Sequence, residues 1–253
     1  MSNIAFTDSI KDKISSFLWQ HFLLAVSLFI MTFGVALCVR SALGSSVISA
    51  IPFVMSIAGE SNMVPELTIG EYTYLMNALF VGLQVILLNR RFKPVQLFQL
   101  VIGFLFGYFL DLNMILTSIA VVDSLLAKIM AQLAGCTVLG LGISLEIRCG
   151  SVTMPGEGIT VAVSQVTGMP FAKAKIIVDT LLVVIAMILG YCFFSSWMWN
   201  VIGPGTLFAM IYVGALVRWL DPHMEWFSRI LSYRPGFRRY IFGLARFIYH
   251  RRD

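Results

Sequence analysis

Six stretches of the sequence, near 18–39, 72–89, 95–112, 124–147, 176–194 and 200–219, are predominantly apolar. Each is close to the roughly 20 residues that a helix needs to cross about 30 Å of hydrocarbon. No water reaches the bilayer core, so backbone groups there must pair within the chain, and runs of this length fold as helices. With 58% of its 253 residues apolar and only 12% charged, the composition excludes a soluble globular domain. The fold class expected is all-α integral membrane. The first run follows Lys11 and Lys13, exceeds a signal-peptide core and has no small-residue cleavage site after it, so it reads as an uncleaved anchor.

The chain also repeats itself. Gly34-Val-Ala-Leu-Cys-Val-Arg40 and Gly142-Ile-Ser-Leu-Glu-Ile-Arg148 share one pattern at a shift of 108, which also carries Ile51 onto Ile159 and Ser56 onto Ser164. A shift of 102 places Asn77 on Asp179, and one of 107 places Gly107 on Gly214. Each copy then holds a long span ending in Arg, a short segment (46–58 and 155–167) and two more spans. Both short segments are too short to cross lipid, and each fits a half-helix reached through an extended arm at 41–45 or 149–154.

Charge orients this arrangement. If the short segments re-enter, Lys11, Lys13, Arg90, Arg91, Lys93, Lys173, Lys175 and the carboxyl-terminal tail share one side, and Glu60, Glu66, Asp111 and Asp123 share the other. The positive-inside rule makes the basic side cytoplasmic and disfavours the eight-span alternative. Three spans per copy is an odd number, so the copies have inverted topology and both termini are cytoplasmic. The expected organisation is a cytoplasmic segment 1–16, membrane repeats 17–113 and 114–222, and a basic cytoplasmic tail 223–253. Seven of the 18 Lys and Arg lie from Arg229 onward, with Asp253 the sole acid there. In that tail Phe237, Tyr240, Ile241, Leu244, Phe247 and Ile248 share a face at helical spacing, opposite Arg239, Arg246 and His250. This predicts an amphipathic helix on anionic lipid.

Gly34-x-x-Leu37-x-x-Arg40-x-x-x-Gly44, its copy from Gly142, and Gly205-Thr206-Leu207 before Gly214 resemble the YitT/YczE-type family of bacterial membrane proteins over roughly residues 20–220. That resemblance implies a polytopic protein of the bacterial inner membrane, and it implies no substrate or mechanism.

Arg40 and Arg148 occupy matched positions before the two arms. Each suits either bidentate anchoring of an anionic solute or snorkelling to an interface, with Glu146 as a possible partner of Arg148. Pro155 at a first helical position leaves Gly156, Glu157 and Gly158 in a first turn whose unpaired N–H groups attract negative charge. Ser45, Ser46, Thr153 and Thr160 add hydroxyls near the two half-helices, or are small residues for close packing. Glu157 fits proton coupling or a helix-end role. Asp179 inside a span needs a partner or a wet cavity, and Asn77 fits either the site or interhelical packing.

The three histidines and four scattered cysteines form no catalytic or metal-ligand pattern, so no cofactor and no enzymatic activity are expected. The function expected is transport of a small anionic or zwitterionic solute through a site between the repeats near the bilayer midplane. The alternatives are a membrane scaffold without transport and a passive channel.

Overall fold

The computed structural model describes residues 10–119, 122–232 and 237–249, and every regular element among them is helical. The architecture rests on α1 Ile10–Ser41, α2 Val47–Glu60, α3 Ile69–Leu88, α4 Phe98–Leu116, α5 Leu125–Cys149, α6 Pro155–Thr167, α7 Phe171–Phe194 and α8 Pro204–Leu220. Two short helices follow, α9 Glu225–Leu231 and α10 Ala245–Tyr249. Five of these helices, α1, α3, α4, α5 and α7, are long and apolar enough to cross a membrane. They expose large apolar side chains outward, Ile86 at 75% and Ile176 at 66%, as suits a surface covered by lipid. The helices are those of a multi-pass membrane protein.

Six full-length spans were expected, and the sixth differs. Residues 200–203 form a turn, Pro204 starts α8 at its first helical position, and the 17 residues that remain fall short of the other five helices.

α1 and α5 pack antiparallel. At one end Ser41 Oγ donates to Gln132 Oε1 (2.6 Å), at the other Gln20 Nε2 donates to Cys149 O (2.7 Å), and between them Cys38 Sγ lies 3.8 Å from Cys136 Sγ. Glycines permit this approach. A Cβ at Gly34 would stand 2.7 Å from Leu139 Cα, and one at Gly142 would stand 2.6 Å from Met31 Cα. Gly34 and Gly142 are related by the repeat shift, as are Met31 and Leu139, so the contact maps onto itself.

The remaining helices pack around this pair. α4 runs parallel to α1, from Phe98 beside His21 to Asn113, whose Nδ2 donates to Thr32 Oγ1 (2.8 Å). α8 runs parallel to α5, with Gly205 O accepting from Gln132 Nε2 (2.9 Å) near its start and Asp221 bound to Arg148 beyond its end. α3 pairs with α4 where Gly70 meets Gly107, α6 packs on α3, and α2 packs on α7. The molecule thus has a basic end, with Arg91, Lys93, Arg148 and the carboxyl-terminal segment, and an acidic end, with Glu66, Asp111 and Asp123.

The short helices fall where the sequence places them, and their first turns meet. Ile48 Cδ1 would lie 3.7 Å from a Cβ on Gly156, the shortest contact at that glycine, and Val47, Ile48, Ile51, Ile159 and Val163 share one apolar cluster with Met76, Phe80, Val178 and Leu182. From there they diverge. Gly59 in the last turn of α2 packs on Pro65 and Glu66 at the acidic end, and Val161 and Ala162 of α6 pack with Leu88 and Leu244 at the basic end.

The tail corrects the expectation of one amphipathic helix. Residues 237–242 are not helical, and α10 spans only five residues. Tyr240 N donates to Gln20 Oε1 (2.8 Å), Gln20 Nε2 donates to Tyr240 O (2.8 Å), and Phe242 N donates to Ser151 O (2.8 Å). A fully buried amide such as Gln20 needs partners, and non-helical backbone supplies the N–H and C=O that a helix would keep for itself. The apolar side chains of Phe237, Phe242 and Leu244 accordingly cover the protein body. His250, with Arg251, Arg252 and residues 1–9, lies outside the described residues, as does the side chain of Ile248.

The glycine seam generates a test. Gly34→Ala and Gly142→Ala should each cost about 1–3 kcal/mol through overpacking, read as a lower unfolding temperature of the purified protein. Gly82→Ala and Gly214→Ala, where a Cβ meets nothing within 4 Å, should leave it unchanged.

Candidate functional site

α5 ends at Gly150, whose left-handed conformation (φ 59°) lets its N–H bond Glu146 O (3.2 Å) and turns the chain inward. Pro155 then starts α6, and the N–H groups of Glu157 (3.0 Å) and Gly158 (2.8 Å) both bond Met154 O, so these two, expected to be unpaired, are paired within the turn. Against this first turn lie two buried glutamines, Gln84 of α3 and Gln99 of α4. They exchange amide hydrogen bonds of 3.2 and 3.1 Å, and Gln84 Nε2 also donates to Pro155 O (3.3 Å). A Cβ at Gly158 would stand 2.6 Å from Gln99 Oε1, so the pair fits there because residue 158 has no side chain.

Carboxylates gather at the same turn. Glu146 is 3% exposed and lies close enough to Glu157 for the two carboxylates to repel. Glu157 in turn feels Lys175 and Asp179 of α7, which form an ion pair of 2.7 Å one helical turn apart. The partner that a carboxylate within a span requires is thus, for Asp179, Lys175. Asn77, 1% exposed on α3, has neither amide atom bonded to any described residue, and buried Thr153 Oγ1 is likewise unpartnered. Thr160 Oγ1 donates to Gly156 O (3.2 Å) within α6.

The other expected residues sit elsewhere or serve the scaffold. Ser45 docks the first arm onto Val201 O through its N–H (2.8 Å) and Oγ (3.0 Å), and Ser46 Oγ lies 2.7 Å from Ser49 Oγ within α2. The two arginines do not converge. Arg40 donates to Met114 O (2.8 Å) near the end of α4. Arg148 bonds the carbonyl of Asp221, Asp221 Oδ1 (3.2 Å) and Ser228 Oγ (3.1 Å) just beyond α8. The acidic partner of Arg148 is therefore Asp221, and not Glu146, one of the alternatives the sequence offered. Because α1 and α5 are antiparallel, Arg148 lies sixteen residues past the Gln132 that faces Ser41, about 24 Å along the seam from Arg40. That separation is too great for one small anion to bridge.

A model of a family of unknown function, DUF6198, matches residues 18–222. The chain belongs to the DUF6198 family. It is also similar to the uncharacterized protein YyaS of Bacillus subtilis (strain 168), at 24% identity over 201 residues covering 79% of this chain and 91% of that relative. No solved structure matches. The DUF6198 region contains all eight architectural helices except the start of α1, together with the whole polar cluster, and it ends before the tail that docks on Gln20.

Sequence reasoning passed over Gln84, Gln99 and Glu146 as members of this cluster. Their signal was present, since a lone amide or carboxylate within an otherwise apolar run is costly unless it has a partner. Pairing across three helices, however, is set only by the fold.

For the arginines, Arg148→Lys and Asp221→Asn should each lower the unfolding temperature. A double-mutant cycle should give a coupling of about 0.5–1 kcal/mol, modest because the pair is partly exposed. Fully additive losses would mean that the two side chains act independently.

Proposed function

We propose that this protein is a proton-coupled secondary transporter of a small zwitterionic solute in the bacterial inner membrane. In this reading the chain is two inverted three-span units, α1 with α3 and α4, and α5 with α7 and α8, with both termini cytoplasmic. The short helices α2 and α6 are half-helices that re-enter from opposite faces. Part of the packing supports it: α4 lies on α1 as α8 lies on α5, and α3 on α6 as α7 on α2, while the close α3–α4 pairing has no α7–α8 counterpart. Ala42 (φ 53°) and Gly150 (φ 59°), equivalent by the shift of 108, both leave their helices in the left-handed conformation. Arg40 and Arg148 bind carbonyls 107 residues apart, at Met114 and Asp221. The likeness to YitT/YczE-type proteins, two of whose shared glycines, Gly34 and Gly142, lie in the α1–α5 seam, belongs to the same reading.

The observation that carries the functional proposal is the buried polar cluster where α6 begins, beside the meeting point with α2. Inverted-repeat transporters bind solute at such discontinuities, where half-helix ends replace the backbone pairing that lipid otherwise demands. Carboxylates outnumber cations here, with Glu146, Glu157 and Asp179 against Lys175. An ammonium group suits the carboxylates, and the amino end of α6 with Lys175 suits a solute carboxylate, so a zwitterion fits better than a simple anion. Asn77 and Thr153 hold unpaired polar atoms that a polar solute would satisfy. Ionising Glu146 and Glu157 together at this depth is costly, which makes the pair a place to carry a transported proton.

Reconstituted in proteoliposomes, the protein should take up a member of an amino-acid-like zwitterion panel saturably, driven by an imposed proton gradient. Glu157→Gln should reduce gradient-driven uptake at least tenfold. Binding without flux would favour a scaffold, and uncoupled, nonsaturable flux would favour a channel.

A further inference from the structure

A second polar feature lies at the basic end, apart from the cluster at α6. A cleft of about 540 Å³, within the range of small-molecule sites, opens between the α3–α4 connection, the last turn of α6 and the carboxyl-terminal segment. Its polar lining is Arg91, Lys93, Gln96, Gln165 and Arg246, with three cations and no acid among them. Leu244 and Phe247 supply the apolar part.

The cleft is assembled with some care. Gly243 adopts a left-handed φ of 54°, and a Cβ there would stand 2.7 Å from Gln96 Cγ, so the tail can approach the α3–α4 connection this closely only with glycine. That approach brings Arg246 across from Arg91 and Lys93. Arg246 Nε donates to Ile241 O (3.3 Å), and Lys93 N donates to Gln96 Oε1 (3.0 Å), which fixes the backbone on both sides. Three cations gathered without a counter-charge among the described residues lining the cleft repel one another, and an anion of concentrated charge relieves this.

We propose that this cleft binds the phosphate group of an anionic membrane lipid. Arg91, Lys93 and Arg246 would hold the phosphate oxygens, with amide donors from Gln96 and Gln165. Its position selects a lipid as the source. The surface beside the cleft is apolar and outward-facing, with Ile86 75%, Leu87 39%, Val95 41% and Leu97 46% exposed, so acyl chains can lie against the protein while the headgroup enters. Basic pockets at the cytoplasmic edge of a helix bundle recognise lipid phosphates in this way. The tail thus contributes to lipid binding through a built pocket rather than through an amphipathic helix lying on the membrane.

The test uses the purified full chain in detergent, titrated with dioleoyl phosphatidylglycerol, dioleoyl phosphatidylcholine and inorganic phosphate, with binding followed by native mass spectrometry and thermal unfolding. Phosphatidylglycerol should bind and stabilise. The triple variant Arg91→Gln/Lys93→Gln/Arg246→Gln should weaken it at least tenfold, with its unfolding temperature in lipid-free detergent near that of the parent. Gly243→Ala should weaken it too, by displacing Arg246, and Arg229→Gln, outside the cleft, should not. Inorganic phosphate binding far more weakly than the lipid assigns the lipid as the source, whereas equal binding by both would overturn that assignment. Equal affinity for phosphatidylcholine, or full retention of phosphatidylglycerol by the triple variant, would overturn the proposal.

Discussion

The architecture depends on how closely α1 can approach α5. In a lipid environment no hydrophobic force draws one apolar helix to another, so association rests on close van der Waals packing and interhelical hydrogen bonds, which small residues permit. Gly34, Gly135 and Gly142 supply that closeness, and any side chain at these positions would collide with the facing backbone. The seam has polar closures at both ends, Ser41 with Gln132 and Gln20 with Cys149 O, which fix its register as well as its separation. Everything else is hung on this pair: α4 and α8 lie along its two members, and the arms that leave Ser41 and Cys149 carry α2 and α6 toward each other.

The position of the polar cluster follows from that register. α5 ends in Glu146, Arg148 and Cys149, and the following turn delivers Pro155 to the Gln84–Gln99 pair. Gln84 and Gln99 satisfy each other, and Gln84 also donates to Pro155 O at the start of α6. On the α2 side the buried polar groups are the hydroxyls of Ser45, Ser46 and Ser49, and beyond them Ala50 and Val54 pack with Ala186, Val201 and Ile202. The ionisable groups of the interior are concentrated where α6 begins.

Five of the six expected spans and both short helices were legible because bilayer thickness sets the length of an apolar run, and Gly34 and Gly142 stood out because the seam leaves no room for a side chain at either. Proximity was not legible. Arg40 and Arg148 are equivalent in sequence, but equivalence across an antiparallel pair places them at opposite ends, where each secures the end of a neighbouring helix. Gln84 and Gln99, fifteen residues apart, are brought together only by the α3–α4 hairpin. In the tail, helical spacing of apolar residues was real yet misleading, since Gly243 and the needs of buried Gln20 favour a non-helical path over most of its length.

The central claim is that the amino ends of α2 and α6 meet in the interior, beside the polar cluster. It is tested most directly by placing cysteines at Ile48 and Gly156 in a chain whose four native cysteines are replaced by alanine. A side chain at 156 is tolerated, since its Cβ would meet nothing closer than 3.7 Å. The account predicts efficient intramolecular crosslinking of membrane-embedded protein by a thiol reagent of minimal span. Crosslinking of this pair only by long-span reagents would contradict it.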